Sequence, residues 1–443
     1  MKDSITFDDI RGFAGDFAAD PANRVAQNIV TTNGVKVSAK RYSALREDVP
    51  VYSVNLEQHG ITNQKSAGRC WAYAGFNVLR DKIIRELNLD NFTFSGNYIV
   101  FYDKLEKANL YLEGVLELID LPLTSREMER LGRVGTGDGG EWEMFVSLVR
   151  KYGVVPQSAQ PETFSSDASR EMNSVLRERL LGFARDMRHA YAAGKSVEEI
   201  RAGKAEMLSV IYRILAICLG EPVKQFDFKV RTKDGKYIAD NGITPKEFYD
   251  KYIGVDLTQY ISLLSASSEG AELKKYAVDT RFNGDVIEGK TIDYVSVPVE
   301  TLKQVAIESL KDGEPLWFGC EVGTSSERKK GIMDENLYDL EGLFDTKFDM
   351  TKPDRFAYGL AHLSHAMTLK GVDLDENGAP IRWRVENSWG DEAGERGMFL
   401  MTDGWFTKYN YQIIASRKYV PQEILDVYDN TDAEVLPFWS PRV

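Results

Sequence analysis

A cysteine at the predicted start of a helix places the strongest constraint on this chain of 443 residues. After Cys70, apolar side chains recur at spacings of three and four, which predicts a helix that runs to about Asn88. Unpaired N–H groups at a helix start favour a thiolate and can stabilise an oxyanion. Gln64 can supply a second oxyanion donor from its side-chain amide. The residues alone fit either a catalytic cysteine or a buried structural one.

A cysteine nucleophile needs a base and a group that orients the base, and both occur far downstream. His365 lies in the run Ser-His-Ala-Met, 295 residues after Cys70 (365 minus 70). Asn387 opens the run Asn-Ser-Trp-Gly, 22 residues after His365 (387 minus 365), a spacing that suits neighbouring strands. The asparagine can accept a hydrogen bond from one ring nitrogen of the histidine, and Trp389 can shield that bond from water.

Three motifs together resemble a known group of enzymes. Gln-Lys-Ser-Ala-Gly-Arg-Cys-Trp (64–71), Ser-His-Ala-Met and Asn-Ser-Trp-Gly are similar to motifs of papain-like cysteine peptidases, in the order Cys, His, Asn. The exact forms and the long chain resemble the bleomycin hydrolase / aminopeptidase C family. The likeness covers nearly the whole chain and implies an intracellular peptidase with a thiolate mechanism.

The resemblance also implies roles for individual residues. His365 is preferred to His362 because only His365 lies in the Ser-His-Ala-Met motif. The implied catalytic residues are Cys70, His365, Asn387 and Gln64, with Trp71 and Trp389 as structural support of the site.

The run Gly-Thr-Gly-Asp-Gly-Gly at 135–140 has the spacing of a dinucleotide-binding motif. A helical pattern precedes it instead of a strand, so we reject nucleotide binding. The resemblance implies that Gly139 and Gly140 bind the substrate main chain, since glycine lets a backbone approach a ligand closely. A flexible turn without a binding role is the alternative.

The C-terminal tail bears on substrate choice. In aminopeptidases of this family, the terminal carboxylate holds the substrate ammonium and restricts cleavage to the first peptide bond. Here the tail reads Leu-Pro-Phe-Trp-Ser-Pro-Arg-Val from Leu436, and it stops several residues before the family pattern does. The resemblance implies that Val443 contacts the ammonium. Because a short tail leaves more of the cleft open, an oligopeptide endopeptidase is the alternative to an aminopeptidase.

The amino-acid composition disfavours several classes of function and of cellular compartment. A net charge of −13 and a pI of about 5.1 disfavour a nucleic-acid-binding surface. Three cysteines argue against a disulfide framework and favour a reducing compartment, so we expect a cytoplasmic protein. We expect no membrane span, because no apolar run approaches about 18 residues. We expect no cofactor and no metal, because the four histidines lack paired ligand spacing.

The expected partners are peptide substrates and further copies of the chain, since the resemblance implies a homohexamer. A non-catalytic peptide-binding protein and a metal enzyme are the alternatives from other functional classes. The expected fold is α+β, with papain-like helical and β-barrel-like lobes and large helical insertions. The predicted domains are an N-terminal arm and lead-in (1–60), a helical lobe that carries the Cys70 helix (61–159), a mostly helical insertion (160–300) and a β lobe that carries the histidine, the asparagine and the tail (301–443).

Overall fold

A large sheet with helices packed against it forms the protein, of which the computed structural model describes residues 4–47, 49–132, 135–266 and 273–440. Within these residues the sheet has twelve strands, and a separate hairpin has two. The predicted α+β class is therefore confirmed. No helix in the described part of the chain combines the length and apolar content that a membrane crossing requires.

The Cys70 helix spans Cys70–Leu87, as the apolar spacing predicts, and it ends at Asn88 in the left-handed conformation. Ser95 caps the next helix, because its side chain accepts a hydrogen bond from the N–H of Tyr98 at 3.1 Å. Apolar side chains from the Cys70 helix and its neighbours share one core. The helices of this lobe are Cys70–Leu87, Gly96–Glu117, Arg126–Leu131 and Trp142–Tyr152.

The insertion begins with helices and continues with strands. A hairpin formed by Phe226–Arg231 and Tyr237–Ile243 turns at Asp234 and Gly235. The helices of the insertion are Phe164–Asp167, Arg170–Ala192, Val197–Ala202, Lys204–Leu219, Pro245–Tyr252 and the 3₁₀ turn Leu257–Gln259. Three later strands of this segment join the large sheet, an arrangement that local sequence patterns do not reveal.

The large sheet gathers strands from distant parts of the chain. Neighbouring strands follow the order Glu434–Leu436, Lys274–Val278, Asp293–Ser296, Tyr260–Leu264, Asn410–Ser416, Leu316–Cys320, His365–Leu374, Pro380–Glu386, Met398–Thr402, Ile332–Met333 and Ser326–Glu327. The short strand Val54–Asn55 pairs with His365–Leu374 as well. The sheet thus brings the strand that begins at His365 into its middle.

The Cys70 helix packs on the sheet beside the strand that begins at His365. The hydroxyl of Thr368 donates to the carbonyl oxygen of Ala74 at 3.3 Å, which ties strand to helix. A buried ion pair joins Arg80 of the helix to Glu386 at the end of the adjacent strand. These contacts hold the start of the helix near the start of the His365 strand.

The remaining helices cover the sheet and form an N-terminal arm. Beside the sheet lie Val299–Lys311, Leu340–Phe344, Lys352–Ala357, Asp403–Tyr409, Gln422–Asn430 and the 3₁₀ turn Arg417–Tyr419. The arm consists of Phe7–Ala19, Pro21–Asn33, Val35–Ser38 and Tyr42–Glu47. Its end is attached to the body by an ion pair between Lys40 and Glu327.

Candidate active site

Cys70 is the first residue of its helix and is half-buried. The residue before it, Arg69, makes no side-chain cap, so the N–H groups of the first turn stay available. Arg69 is itself buried and forms ion pairs with Glu162 at 2.6 Å and Asp167 at 3.1 Å. The ion pairs of Arg69 therefore hold in place the start of the helix that carries the thiol.

His365 and Asn387 form a hydrogen-bonded pair on neighbouring strands. Nε2 of the histidine lies 2.8 Å from Oδ1 of the asparagine. The side-chain oxygen can only accept, so Nε2 carries the proton and Nδ1 is left as the basic nitrogen. The Trp389 ring stacks on the imidazole at 4.8 Å between centroids. His362, the competing histidine, is exposed.

Gln64 is buried beside this pair and is held through both ends of its amide. Its Oε1 accepts from the Ser388 hydroxyl at 2.7 Å, and its Nε2 donates to the carbonyl oxygen of Ala67 at 2.8 Å. The Gln64 backbone N–H also donates to the Ser388 carbonyl at 2.8 Å. Since Nε2 carries two hydrogens, one remains for a ligand oxygen.

Burial favours the uncharged forms of both titratable groups of the site. Burial raises the pKa of the Cys70 thiol, although hydrogen bonds from backbone N–H groups, including that of Ala366, lower it. Burial also lowers the pKa of His365 to about 4, although the Asn387 hydrogen bond raises it. The helix start was expected to favour the thiolate, but desolvation outweighs it here. Both shifts therefore work against transfer of the thiol proton to the imidazole in the free protein.

The glycine-rich loop is bound to two lysines of the helix Gly96–Glu117. Lys107 Nζ donates to the carbonyl oxygen of Gly139 at 2.6 Å. Gly140 has no backbone hydrogen bond within the described residues, so its N–H and C=O are free for a ligand. A Cβ on Gly140 would lie 2.5 Å from the Trp71 ring, which explains why glycine is needed there.

Asp138 joins this loop to the segment that leads to Cys70, a role that sequence reasoning missed. Its carboxylate accepts from the Gly68 N–H at 3.0 Å and from Lys104 Nζ at 2.7 Å. Its backbone carbonyl accepts from Trp71 Nε1 at 2.8 Å. Burial opposes its ionisation, yet Lys104 and the hydrogen bonds keep the pKa of Asp138 below its usual range. A lone acid within a glycine-rich run is the signal that could have indicated it.

A cavity of about 610 Å³ opens between the helical lobe and the sheet. Five of the residues that the sequence analysis assigned to the site line this cavity: Cys70, His365, Gln64, Gly139 and Gly140. Trp71 also lines it, whereas Trp389 and Asn387 lie behind the histidine. Val443, the predicted contact for the substrate ammonium, lies outside the described residues. The described part of the tail packs Phe438 against Phe282, a further lining residue, at 4.5 Å between ring centroids.

Comparisons with known proteins find relatives that match the whole chain. Aminopeptidase C of Lactobacillus delbrueckii subsp. lactis is 37% identical over 445 residues, which cover all of this chain and 98% of that protein. Aminopeptidase C of Listeria monocytogenes serovar 1/2a is 38% identical over 442 residues, which cover 100% and 99%. The crystal structure of PepW from Lactobacillus rhamnosis HN001 superimposes with a TM-score of 0.96 at 40% identity, with 100% of this chain and 99% of that chain covered.

These relatives span the whole chain and not one lobe alone. The likeness to PepW confirms the predicted papain-like fold with its insertions. The model of the Peptidase C1-like family matches residues 4–442. The chain therefore belongs to the Peptidase C1-like family and is a cysteine peptidase.

Proposed function

We propose that the protein is a cysteine aminopeptidase that hydrolyses short peptides through Cys70, His365 and Asn387. The observation that carries the proposal is the imidazole of His365, which is hydrogen-bonded to Asn387 and lines the same cavity as the thiol at the helix start. The relatives named aminopeptidase C support release of N-terminal residues as the activity.

In the proposed reaction, Nδ1 of His365 takes the proton of the Cys70 thiol, and the sulfur attacks the peptide carbonyl carbon. The oxyanion accepts hydrogen bonds from the Cys70 backbone N–H and from Gln64 Nε2. The imidazolium then gives its proton to the leaving amine, and the C–N bond breaks to leave a thioester. Water, deprotonated by His365, hydrolyses the thioester and restores the thiol. Asn387 keeps the imidazole oriented throughout.

The Gly140 backbone supports the binding half of the proposal. Its free N–H and C=O can pair with the main chain of an extended peptide, as in a short β ladder. Gly139 contributes through its place on the cavity wall, because its carbonyl oxygen already accepts from Lys107. The terminal carboxylate of Val443 remains a further proposed contact for the substrate ammonium.

A pair of matched peptides tests the activity. The purified protein is expected to cleave a tetrapeptide with a free amine faster than its N-acetylated form, and to release the first residue, as followed by mass spectrometry. Preferred internal cleavage of the acetylated peptide would instead identify an oligopeptide endopeptidase. If neither peptide is hydrolysed although both bind, the protein is a peptide-binding member of the family.

Three free cysteines support a cytoplasmic location, because they fit a reducing compartment. We also propose that the protein forms a homo-oligomer, a hexamer by its resemblance to the family. The helix Phe7–Ala19 supports assembly, since it buries none of its residues in the single chain. Apolar side chains on one face of it are exposed, with Phe7 81% and Phe13 63% accessible.

The double change Phe7→Asp and Phe13→Asp is expected to reduce the molar mass measured by light scattering after size exclusion. The reason is that two charges would have to be buried in the proposed contact. Ile217→Asp is the matched control, because Ile217 is equally exposed (79%) but lies on a different helix. If both variants keep the molar mass of the unmodified protein, the N-terminal arm does not form the proposed contact between subunits.

A further inference from the structure

Glu141 is the only acidic side chain that lines the cavity within the described residues. It directly follows Gly140 and precedes the helix Trp142–Tyr152. No described basic side chain forms an ion pair with its carboxyl group. The cavity beside the thiol therefore contains an acceptor that the catalytic machinery does not use.

The basic residues of the same cavity are engaged elsewhere. Lys107 Nζ donates to Asp103 at 2.9 Å, and Arg281 forms an ion pair with Asp279 at 2.7 Å. Arg130 donates to Asn283 at 3.4 Å. Since none of these cations pairs with Glu141, an incoming positive group would meet no competing cation at the carboxyl.

The surroundings of the Glu141 carboxyl favour binding of a positively charged group. Burial, with a smaller contribution from the Glu143 carboxyl, raises the pKa of Glu141 to about 8. Desolvation opposes the ionisation of such a carboxyl group. A positive partner that is buried with it stabilises the ionised form. A peptide that carries a cation at this point would thus be favoured over an uncharged one.

Resting on the proposed aminopeptidase function, we propose that Glu141 anchors the α-ammonium group of the substrate. The α-nitrogen is two bonds from the scissile carbonyl carbon, so its anchor must lie beside the nucleophile. Glu141 lines the same cavity as Cys70, and the two groups are close enough that a charge on Glu141 raises the pKa of the thiol. Its neighbour Gly140 offers the free main-chain groups that would align the peptide.

The anchor explains a preference for free N-termini without relying on the tail. A substrate with a blocked amine would leave the carboxyl group buried and unpaired, which costs binding energy. The terminal carboxylate of Val443 is a separate candidate for the same contact. A change at Glu141 leaves that terminus intact, so the two contributions can be measured independently.

Binding to an inactive variant tests the anchor. In a Cys70→Ala background, leucinamide is expected to bind roughly 10- to 100-fold more tightly than 4-methylpentanamide, which lacks only the amine, by calorimetry. The additional change Glu141→Gln is expected to abolish this advantage. Glu171→Gln is the control, since Glu171 is exposed on the helix Arg170–Ala192, does not line the cavity, and should preserve the advantage. An advantage that survives Glu141→Gln overturns the proposal.

Two further measurements complete the binding experiment. N-acetyl-lysinamide carries only a side-chain ammonium, and its affinity should not depend on Glu141; a loss confined to this compound overturns the α-ammonium assignment. Glu141→Asp should recover part of the lost leucinamide affinity, which a merely structural effect would not do. Should the unmodified protein hydrolyse no peptide while the Glu141-dependent advantage persists, the proposed function fails and the anchor stands.

Discussion

Cys70→Ala is expected to lower kcat/KM for peptide hydrolysis by roughly 10⁴- to 10⁶-fold, because no other group can form the thioester. The fold should be retained, since the side chain is small and only half-buried. Rates with a free-amine fluorogenic substrate, together with thermal melting by circular dichroism, measure the two effects separately.

Cys218→Ala is the matched control for this change. Cys218 is also half-buried and free, but it lies on the helix Lys204–Leu219 and does not line the cavity. Its replacement should leave the rate unchanged. Hydrolysis by the Cys70→Ala protein at the unmodified rate would refute the nucleophile assignment, as would equal losses in the two variants.

Gln64→Ala is expected to lower kcat by roughly 10²- to 10³-fold with little change in KM. The side-chain amide is the second donor to the proposed oxyanion, which forms only during the reaction, so its loss affects the transition state more than substrate binding. Steady-state kinetics with one good substrate measure both constants.

Gln58→Ala is a suitable comparison, because Gln58 lies six residues earlier and its amide bonds Arg396 and Arg384 away from the cavity. That variant should keep its kcat. Ser388→Ala should give a partial loss, because the hydroxyl holds Oε1 of Gln64. A Gln64→Ala enzyme with less than a threefold loss in kcat would exclude the amide from the oxyanion hole.

Local structure could be predicted from the sequence, because it depends on residues that are neighbours in the chain. The apolar spacing after Cys70 predicted a helix that the structure has at Cys70–Leu87. The choice of His365 over His362 came from its motif, and the pairing with Asn387 at 2.8 Å agrees with it. Catalytic roles for these residues remain predictions until the variants are measured.

Long-range contacts were not readable in this way, because they join residues that no local pattern relates. Asp138 illustrates this limit, since its partners Gly68 and Lys104 lie on other elements. The strands at 260–296 are a second example, because periodicity shows a strand but not which sheet it joins.

Apolar spacing in the sequence predicted the helix that begins at Cys70, and the resemblance of three motifs to a known family indicated the peptidase family and the candidate catalytic residues. Only tertiary packing decided how those residues ionise, because desolvation depends on everything that surrounds a group and not on its neighbours in sequence. Packing therefore reversed the expected effect of the helix start on Cys70, and it placed Glu141 in the same cavity without an ion-pair partner among the described residues.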